Sequence, residues 1–192
     1  MIQSGYTLFA TPIGCCGIAW GSHGITRLQL PEASEKATGR RLSRVSGCVE
    51  LPPPDWVRAV IEDVVALLSG ERRNCATARL DYGAAEAFEV AVYEVARGIQ
   101  PGCTMTYGQL AESLGDRNAA RDVGQALGRN PCPIIVPCHR VLAADGRMHG
   151  FSGRGGTATK LKLLEIEGWR PDQGPTLFDG IEGFGLALPR RG

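Results

Sequence analysis

The chain has 192 residues, of which 43% are hydrophobic and 21% are charged, and its formal net charge is +1. This composition is ordinary for a water-soluble protein, and no apolar run approaches the roughly 20 residues that a membrane-spanning helix needs. No basic start followed by an apolar segment indicates a secretory signal. We therefore expect a cytoplasmic protein that makes no membrane contact and keeps its seven cysteines as reduced thiols.

Three short segments near the start of the sequence are β-prone and are separated by turn residues. They predict a hairpin or meander, with strands at Tyr6–Ala10, Cys16–Trp20 and Ile25–Leu30. The polar stretch Glu32–Gly47 that follows is predicted to be a loop. Asp55 could then cap a helix that runs to Ser69, with Gly70 as its stop.

The composition changes from strand-like to helical at a predicted domain boundary, Tyr82–Ala85. A helix is predicted over Glu86–Arg97, where the apolar residues recur with helical spacing. Phe88, Val92 and Val95 are expected to face inward. Gly98 follows the helix and is predicted to end it.

Two short helices with a tight turn between them are predicted next. Thr106 and Gln109 have the spacing of a capping box, which opens a helix ending at Leu114. A second helix is predicted over Ala119–Gly128. This is the arrangement of the DNA-binding helix-turn-helix, although most short helical hairpins bind nothing.

Basic residues are concentrated in this later part of the chain. The stretch from Arg117 to Arg170 holds nine Lys and Arg residues against four Asp and Glu residues. A local positive surface suits a polyanion, while charge alone fits a solvated face equally well. The small side chains of Ala119 and Ala120 favour the DNA interpretation, because they permit close approach to another surface beside Arg121.

The segment after the second helix cannot be helical. Three prolines within seven residues lie between Asn130 and Cys138, so Ile134–Pro137 is predicted to be extended and buried. The remaining elements are predicted as a strand, a turn, a final helix and a loosely ordered tail, at Val141–Ala143, Ala144–Arg147, Thr157–Glu167 and 171–192.

Cys138 is the strongest candidate for a reactive residue. A thiol attacks as the thiolate, and the pKa of a thiol is lowered by a nearby His or Arg, which here are His139 and Arg140. Neighbouring residues on a regular strand point to opposite faces, so Cys138 and His139 can cooperate only if the backbone turns or a water molecule bridges them. The other cysteines lack an activating neighbour, and Cys132, between two prolines, is predicted to be a packing residue.

The pentapeptide Pro137-Cys138-His139-Arg140-Val141 resembles the active-site signature of the O6-alkylguanine-DNA alkyltransferases, also called methylated-DNA–protein-cysteine methyltransferases. The Thr-Pro-Ile-Gly motif at 11–14 also fits this family. Further motifs in the family's order and spacing extend the resemblance over about 88–168, and they are Thr106-Tyr107-Gly108-Gln109-Leu110, Ala119-Ala120-Arg121, Val123-Gly124, Asn130-Pro131 and Glu167-Gly168. The pentapeptide alone is moderately specific, and the combined set leaves little room for chance.

The resemblance implies a role for each catalytic candidate. Cys138 would accept the alkyl group, His139 would take its proton through a water molecule, and Glu167 would orient and charge that histidine. Tyr107 would donate a proton or a hydrogen bond to the departing guanine, because a neutral base leaves more easily than an anionic one. Asn130 would stabilise the turn that shapes the site.

The resemblance also implies how double-stranded DNA would be bound. The target nucleotide would be flipped out of the helix, because a buried sulfur cannot reach a stacked base in line, and Arg121 would replace it in the stack. The second short helix would lie in the minor groove, so the residues expected to contact DNA are Arg121, Ala119, Ala120, Gly124, Arg117 and Arg140. The guanine pocket would be formed by the carbonyl groups of Val136 and Cys138, by Ser152 and by Phe151.

Two segments depart from the family's pattern. The turn after the active-site strand, Phe151–Gly156, is longer than usual and begins with Phe where Tyr is common, so the preferred size of alkyl group stays open. The usual Pro-Phe-Gln before the second helix is Ala87-Phe88-Glu89 here. The N-terminal part offers four potential zinc ligands, which are Cys15, Cys16, His23 and Cys48. They do not have the spacing of a structural zinc site, so no metal and no cofactor are predicted.

The sequence predicts an α+β protein with a small N-terminal β-sheet lobe and one helix, followed by a mostly helical C-terminal lobe with a winged-helix-like helix-turn-helix and an active-site loop. The resemblance implies a ribonuclease H-like lobe over 1–83, a DNA-binding and alkyl-acceptor domain over 84–170, and a tail over 171–192. A monomer that repairs O6-alkylguanine once is expected. Two alternatives stay open: a protein that binds damaged DNA without repairing it, and a cysteine hydrolase, which would leave Arg121 and Tyr107 without a purpose.

Overall fold

The computed structural model describes residues 3–144, 151 and 153–170. Its N-terminal sheet has three antiparallel strands in chain order, β1 (Gly5–Thr11), β2 (Gly14–Trp20) and β3 (Ile25–Gln29). In the first pair, Gly5 lies opposite Trp20 and Thr11 lies opposite Gly14, where a φ of 123° makes glycine the suitable residue after the turn. The predicted meander is confirmed.

The predicted loop at Glu32–Gly47 is wrong, because most of this segment forms helix α1 (Glu35–Ser46). The side chain of Ser34 accepts a hydrogen bond from the Ala37 amide at the start of the helix, and Gly47 ends it in the left-handed conformation. The buried residues of the helix are Thr38, Gly39 and Leu42. The helix is polar overall and has few large apolar residues on its buried face, which is why its composition resembles that of a loop.

Helix α2 (Asp55–Leu68) lies where the sequence predicts it. Asp55 is not its cap, since the cap position belongs to Pro54 and the Asp55 carboxylate pairs with Arg58 instead. The buried side of the helix consists of Val57, Val60, Val64, Leu67 and Leu68. Apolar residues at this spacing form the single face that packs against a core.

Helix α3 (Ala87–Arg97) buries Val92 and, in part, Val95 as predicted, but not Phe88. Phe88 was expected inside, but its side chain is 38% exposed. The buried residues are Val92, Tyr93 and Ala96, with Val95 partly buried. The Tyr93 hydroxyl donates a hydrogen bond to the Ala126 carbonyl at 3.0 Å, which allows this polar ring to be buried.

Helix α4 (Tyr107–Ser113) and helix α5 (Ala120–Gly128) form the predicted helix-turn-helix, with a 3₁₀ turn at Arg117–Ala119 before the second helix. The predicted capping box is present. The Gln109 amide donates to the Thr106 hydroxyl, and the Thr106 amide donates to the Gln109 side chain, at 3.1 and 2.7 Å.

Two short parallel strands, β4 (Met105–Thr106) and β5 (Val141–Leu142), pair the start of this motif with the segment after Cys138. The final helix, α6 (Thr157–Ile166), has Glu167 at its C-terminal cap. The tail 171–192 lies outside the described residues. So does the predicted turn 144–147, except for Ala144.

One cluster of buried side chains joins the sheet, α2 and the helix-turn-helix, and it includes Ile18, Trp20, Val64, Leu110 and Val136. The predicted α+β fold class is confirmed. The predicted division at residue 83 stays a prediction, since this cluster contains residues from both sides of it. None of the helices within the described ranges is long and apolar enough to cross a membrane.

Candidate active site

The run before Cys138 was predicted to be extended but turns at Ile134–Ile135, and Cys138 itself begins a single 3₁₀ turn, Cys138–Arg140. The Arg140 amide closes the turn by donating to the Pro137 carbonyl at 2.9 Å. A strand would place Cys138 and His139 on opposite faces, and the turn removes that constraint. Both side chains are buried, with 7% of Cys138 and 1% of His139 exposed.

Asn130 holds the loop that leads to Cys138. Its side-chain amide donates to the Val136 carbonyl at 2.8 Å, and its side-chain oxygen accepts from the Cys132 amide at 2.9 Å. Within this loop Ile134 has a φ of 75°, a conformation that costs a β-branched residue on the order of 1–3 kcal/mol. The two hydrogen bonds of Asn130 span this strained residue and agree with the stabilising role predicted for it.

The carbonyl oxygen of Val136 has no lone pair left to accept a hydrogen bond from a nucleobase. It accepts hydrogen bonds from the Asn130 side chain and from the Cys138 amide, both at 2.8 Å. A carbonyl oxygen has two lone pairs, so its predicted contact with a guanine amino group is wrong. Among the described residues, the Cys138 carbonyl accepts only the Val141 amide and keeps one lone pair.

Glu167 joins His139 to Arg140. Its Oε1 atom lies 2.8 Å from Nε2 of His139 and 2.7 Å from Nη2 of Arg140, and its Oε2 atom lies 2.8 Å from Nε of Arg140. The Arg140 side chain also donates to the Ile99 carbonyl and is 2% exposed. The predicted contact of Arg140 with DNA is therefore wrong, because its guanidinium is inside the protein and bound to Glu167.

Burial leaves His139 neutral and able to accept a proton. Burial lowers the pKa of His139, and the carboxylate of Glu167 offsets this only in part. Burial alone would raise the pKa of Glu167, but its contacts with His139 and Arg140 lower it to about 2. With Nε2 of His139 bonded to the carboxylate, Nδ1 is the proton acceptor, and it is buried without a partner in the described part of the chain.

The thiol and the phenol of the site are both protonated at rest. Burial raises the pKa of the Cys138 thiol, although a hydrogen bond with Asn130 and the charge of Lys160 work in the opposite direction. Burial also raises the pKa of Tyr107, and the charge of Cys138 adds to the effect. A thiol attacks as the thiolate, so Cys138 would have to lose its proton before it could act as a nucleophile.

Two of the other cysteines, Cys132 and Cys75, are buried thiols whose pKa is raised. All seven lie within the described residues and no disulfide joins them. Burial raises the pKa of Cys132, the predicted packing residue, to about 12, and it does the same for Cys75. No group of three or more Cys, His, Asp or Glu among the described residues could hold a metal ion.

A cleft of about 800 Å³ lies at Cys138, a size in the usual range for small-ligand sites. The helix-turn-helix and the active-site turn both contribute to its walls. The predicted site residues that line it are Tyr107, Ala120, Arg121, Gly124, Cys138 and Phe151. The fold thus brings the thiol, the tyrosine and the small face of α5 to one opening.

The other residues predicted to contact DNA or base have different positions. Ala119 is 8% exposed and belongs to the core, so it is not available for the predicted contact with DNA. Arg117 is exposed at the turn before α5, and Arg121 is exposed on the helix itself. Ser152 lies outside the described residues, while its neighbour Phe151 is half-buried.

Lys160 is a candidate functional residue that the sequence did not reveal. It is completely buried, its Nζ atom donates to the Val141 carbonyl at 2.6 Å, and that atom lies 5.7 Å from the centre of the Tyr107 ring. Lys162, two residues further along the same helix, is exposed. No local signal distinguishes the two lysines, since only the packing of α6 decides which one is inside.

Comparison with known proteins decides the family. Residues 87–169 match the family model described as the DNA-binding domain of 6-O-methylguanine DNA methyltransferase. A methylated-DNA–protein-cysteine methyltransferase of Mycobacterium leprae is 36% identical over 169 residues, which are 88% of this chain and 95% of the relative. The chain belongs to the methylated-DNA–protein-cysteine methyltransferase family.

Solved structures of similar proteins agree with this family assignment. The crystal structure of the Mycobacterium tuberculosis O6-methylguanine methyltransferase is 31% identical and has a TM-score of 0.70, covering 86% of this chain and 93% of that chain. A second structure, of Mycobacterium tuberculosis OGT in complex with DNA, is 31% identical with a TM-score of 0.65, covering 85% and 92%. The resemblance of the motifs to the methylated-DNA–protein-cysteine methyltransferases is confirmed.

Proposed function

We propose that this protein repairs DNA by transferring an alkyl group from the O6 atom of guanine to the sulfur of Cys138, once and irreversibly. The observation that carries the proposal is the position of Cys138, a buried thiol in a cleft that it shares with the helix-turn-helix. A buried sulfur in a DNA-binding cleft can reach only a base that has left the stack, so the base is flipped.

The reaction starts with proton transfer from Cys138 to His139. The neutral imidazole accepts the thiol proton at Nδ1, through a water molecule, and the imidazolium is stabilised by the carboxylate of Glu167, 2.8 Å from Nε2. Arg140 keeps that carboxylate ionised through two hydrogen bonds. The triad therefore holds a positive charge on His139 while the sulfur is negative.

The thiolate then attacks the alkyl carbon in line with the bond to guanine O6. The new bond joins carbon to the Cys138 sulfur, and the electrons of the broken bond remain on the guanine. Tyr107, protonated because burial raises its pKa, donates a proton to the departing base and regains one from His139. A thioether and an unmodified guanine are formed, and the stable thioether ends the activity of the molecule.

Helix α5 is the element that we place in the minor groove of the duplex. Ala120 and Gly124 line the cleft and allow a close approach, and Arg121 extends from the same helix to replace the flipped nucleotide. Arg117, exposed before the helix, is placed near the phosphates. Phe151 and the Cys138 carbonyl are placed around the base, and Ser152 is assigned to its O6 side.

The protein is proposed to act as a monomer in the cytoplasm and without a cofactor. One chain supplies the thiol, the base, the carboxylate and the cleft. The sulfur is both nucleophile and acceptor, so the transfer needs no further reactant. A reducing compartment that contains DNA is the one in which the acceptor stays a thiol.

Mass spectrometry after incubation with a duplex carrying one O6-methylguanine tests the function. We expect the peptide that contains Cys138 to gain one methyl group, and the modified protein to be inert towards a second duplex. Cys138→Ser is the matched variant and should bind the duplex without methyl transfer. Binding without transfer by the unmodified protein would instead indicate a damage-recognition protein, and methylation of another cysteine would refute the assignment of the acceptor.

A further inference from the structure

Lys160 is completely buried, although lysine is among the residue types that are least often found inside proteins. Removing an ammonium group from water is costly unless hydrogen bonds or an opposite charge compensate. The described partners supply one hydrogen bond, from Nζ to the Val141 carbonyl at 2.6 Å. A single neutral acceptor is weak compensation for a buried positive charge.

No carboxylate in the described ranges forms an ion pair with Lys160. Glu167, the acid of the site, is bound by His139 and Arg140, at 2.8 and 2.7 Å from Oε1. The charge of Glu167 is therefore already compensated by the side chain of Arg140. The charge of Lys160 requires a different partner.

The groups that face Lys160 are Tyr107, Cys138 and His139. Its Nζ atom lies 5.7 Å from the centre of the Tyr107 ring, within the range of a cation–π contact. Helix α6 packs against the Cys138–Arg140 turn, and the Tyr107 ring that Lys160 approaches lines the same cleft as Cys138. Of these three groups, Cys138 is the one that becomes an anion before the alkyl carbon is attacked.

The electrostatic effects between Lys160 and Cys138 are mutual. Burial lowers the pKa of Lys160, and the charge of Cys138 raises it. Burial raises the pKa of Cys138, and the charge of Lys160 lowers it. Burial lowers the pKa of His139, and the positive charge of Lys160 lowers it further. Lys160 therefore helps to keep this base neutral before it accepts the proton.

We propose that the ammonium group of Lys160 is the buried counter-cation of the Cys138 thiolate. When the thiol proton leaves, the sulfur gains a negative charge beside a fixed positive one, and the site becomes better compensated than it was at rest. Lys160 transfers no proton and keeps its charge throughout. It is a positioning residue that acts through Cys138. The inference rests on the proposed function only in taking the Cys138 thiolate to be the nucleophile.

The first test measures the reactivity of Cys138 in the full chain without DNA. Iodoacetamide labelling of the Cys138 peptide is followed as a function of pH in the unmodified protein, in Lys160→Met and in Lys160→Arg. Met retains the length of the side chain but not its charge, so the pH at which labelling of Cys138 is half-maximal should rise by about one unit. Labelling at pH 7 should then be about tenfold slower. Lys160→Arg keeps the charge and should recover most of the rate.

Lys162→Met is the matched control, because it removes an exposed lysine from the same helix and should leave the midpoint unchanged. A midpoint in Lys160→Met equal to that of the unmodified protein would overturn the proposal. So would a Lys160→Arg protein that folds and labels as slowly as Lys160→Met, because the charge would then not be the active feature.

A second test does not depend on the folding of a Lys160 variant. The pKa of Lys160 is measured by NMR of labelled lysine in the unmodified protein and in Cys138→Ser, which lacks the thiolate. Because coupling between two sites is reciprocal, loss of the thiolate should lower the pKa of Lys160. Equal values in the two proteins would refute the pairing. Neither test uses DNA, so failure of methyl transfer from DNA would refute the proposed function and leave this pairing intact.

Discussion

The Nε2 atom of His139 lies 2.8 Å from the Oε1 atom of Glu167, although 28 positions separate the two residues in the chain. The contact fixes which ring nitrogen carries the proton and leaves Nδ1 as the acceptor. Arg140, next to His139 in sequence, binds both oxygens of the same carboxylate. One acid thus orients the base of the site and is itself kept ionised by a buried arginine.

Replacing Glu167 with Gln is expected to slow alkyl transfer by on the order of 100-fold and to lower the free energy of unfolding by about 3 kcal/mol. The amide no longer stabilises the imidazolium, and it leaves the buried charge of Arg140 without a counter-ion. Single-turnover transfer from an O6-methylguanine duplex and urea unfolding measure the two effects. Glu165→Gln, an exposed acid on the same helix, is the control and should change neither quantity.

The low pKa of Glu167 predicts a loss of stability in acid. It is about 2 in the folded protein, against about 4.3 in an unfolded chain. The stabilisation is therefore complete above about pH 5 and is lost as the pH falls towards 2, with a total of about 3 kcal/mol. Urea unfolding between pH 6 and pH 2 measures it. Glu167→Gln should lack this part of the pH dependence, and parallel profiles of the two proteins would contradict the assignment.

Asn130→Ala is expected to lower the free energy of unfolding by about 2–4 kcal/mol. The change removes two buried hydrogen bonds and leaves the Cys132 amide without its acceptor, while Ile134 keeps its strained conformation. Thermal or urea unfolding measures the loss. Asn118→Ala, at an exposed position, is the control and should change stability by less than about 0.5 kcal/mol. Equal effects of the two substitutions would show that the loop does not depend on Asn130.

Arg121→Ala is expected to slow transfer from duplex DNA at least about tenfold and to leave the reaction with free O6-benzylguanine unchanged. Flipping a base costs a few kcal/mol, and a side chain that fills its place in the stack offsets part of that cost. Arg129→Ala is the control, since Arg129 lies at the end of the same helix and pairs with Glu89. Equal losses with both substrates would assign Arg121 to the guanine pocket and not to the DNA.

Local signals in the sequence predicted most elements of the fold. The capping box at Thr106, the alternation of strand and turn residues before Gln29, and the apolar face of α2 each depend on residues close together in the chain. Helix α1 was missed because its buried face has few large apolar residues, and Phe88 was misplaced because α3 buries Tyr93 instead. Both errors concern how an element packs, which its own composition does not specify.

The sequence by itself indicated the candidate thiol and the candidate base, because Cys138 and His139 are adjacent and the motifs around them have the order and spacing of the family. Only the tertiary structure decided that Arg140 is bound inside to Glu167 and that Lys160 is buried beside Tyr107. The physical reason is that charge states and hydrogen-bond partners depend on the exclusion of water and on contacts between residues distant in the chain. Those conditions exist only after the helices have packed.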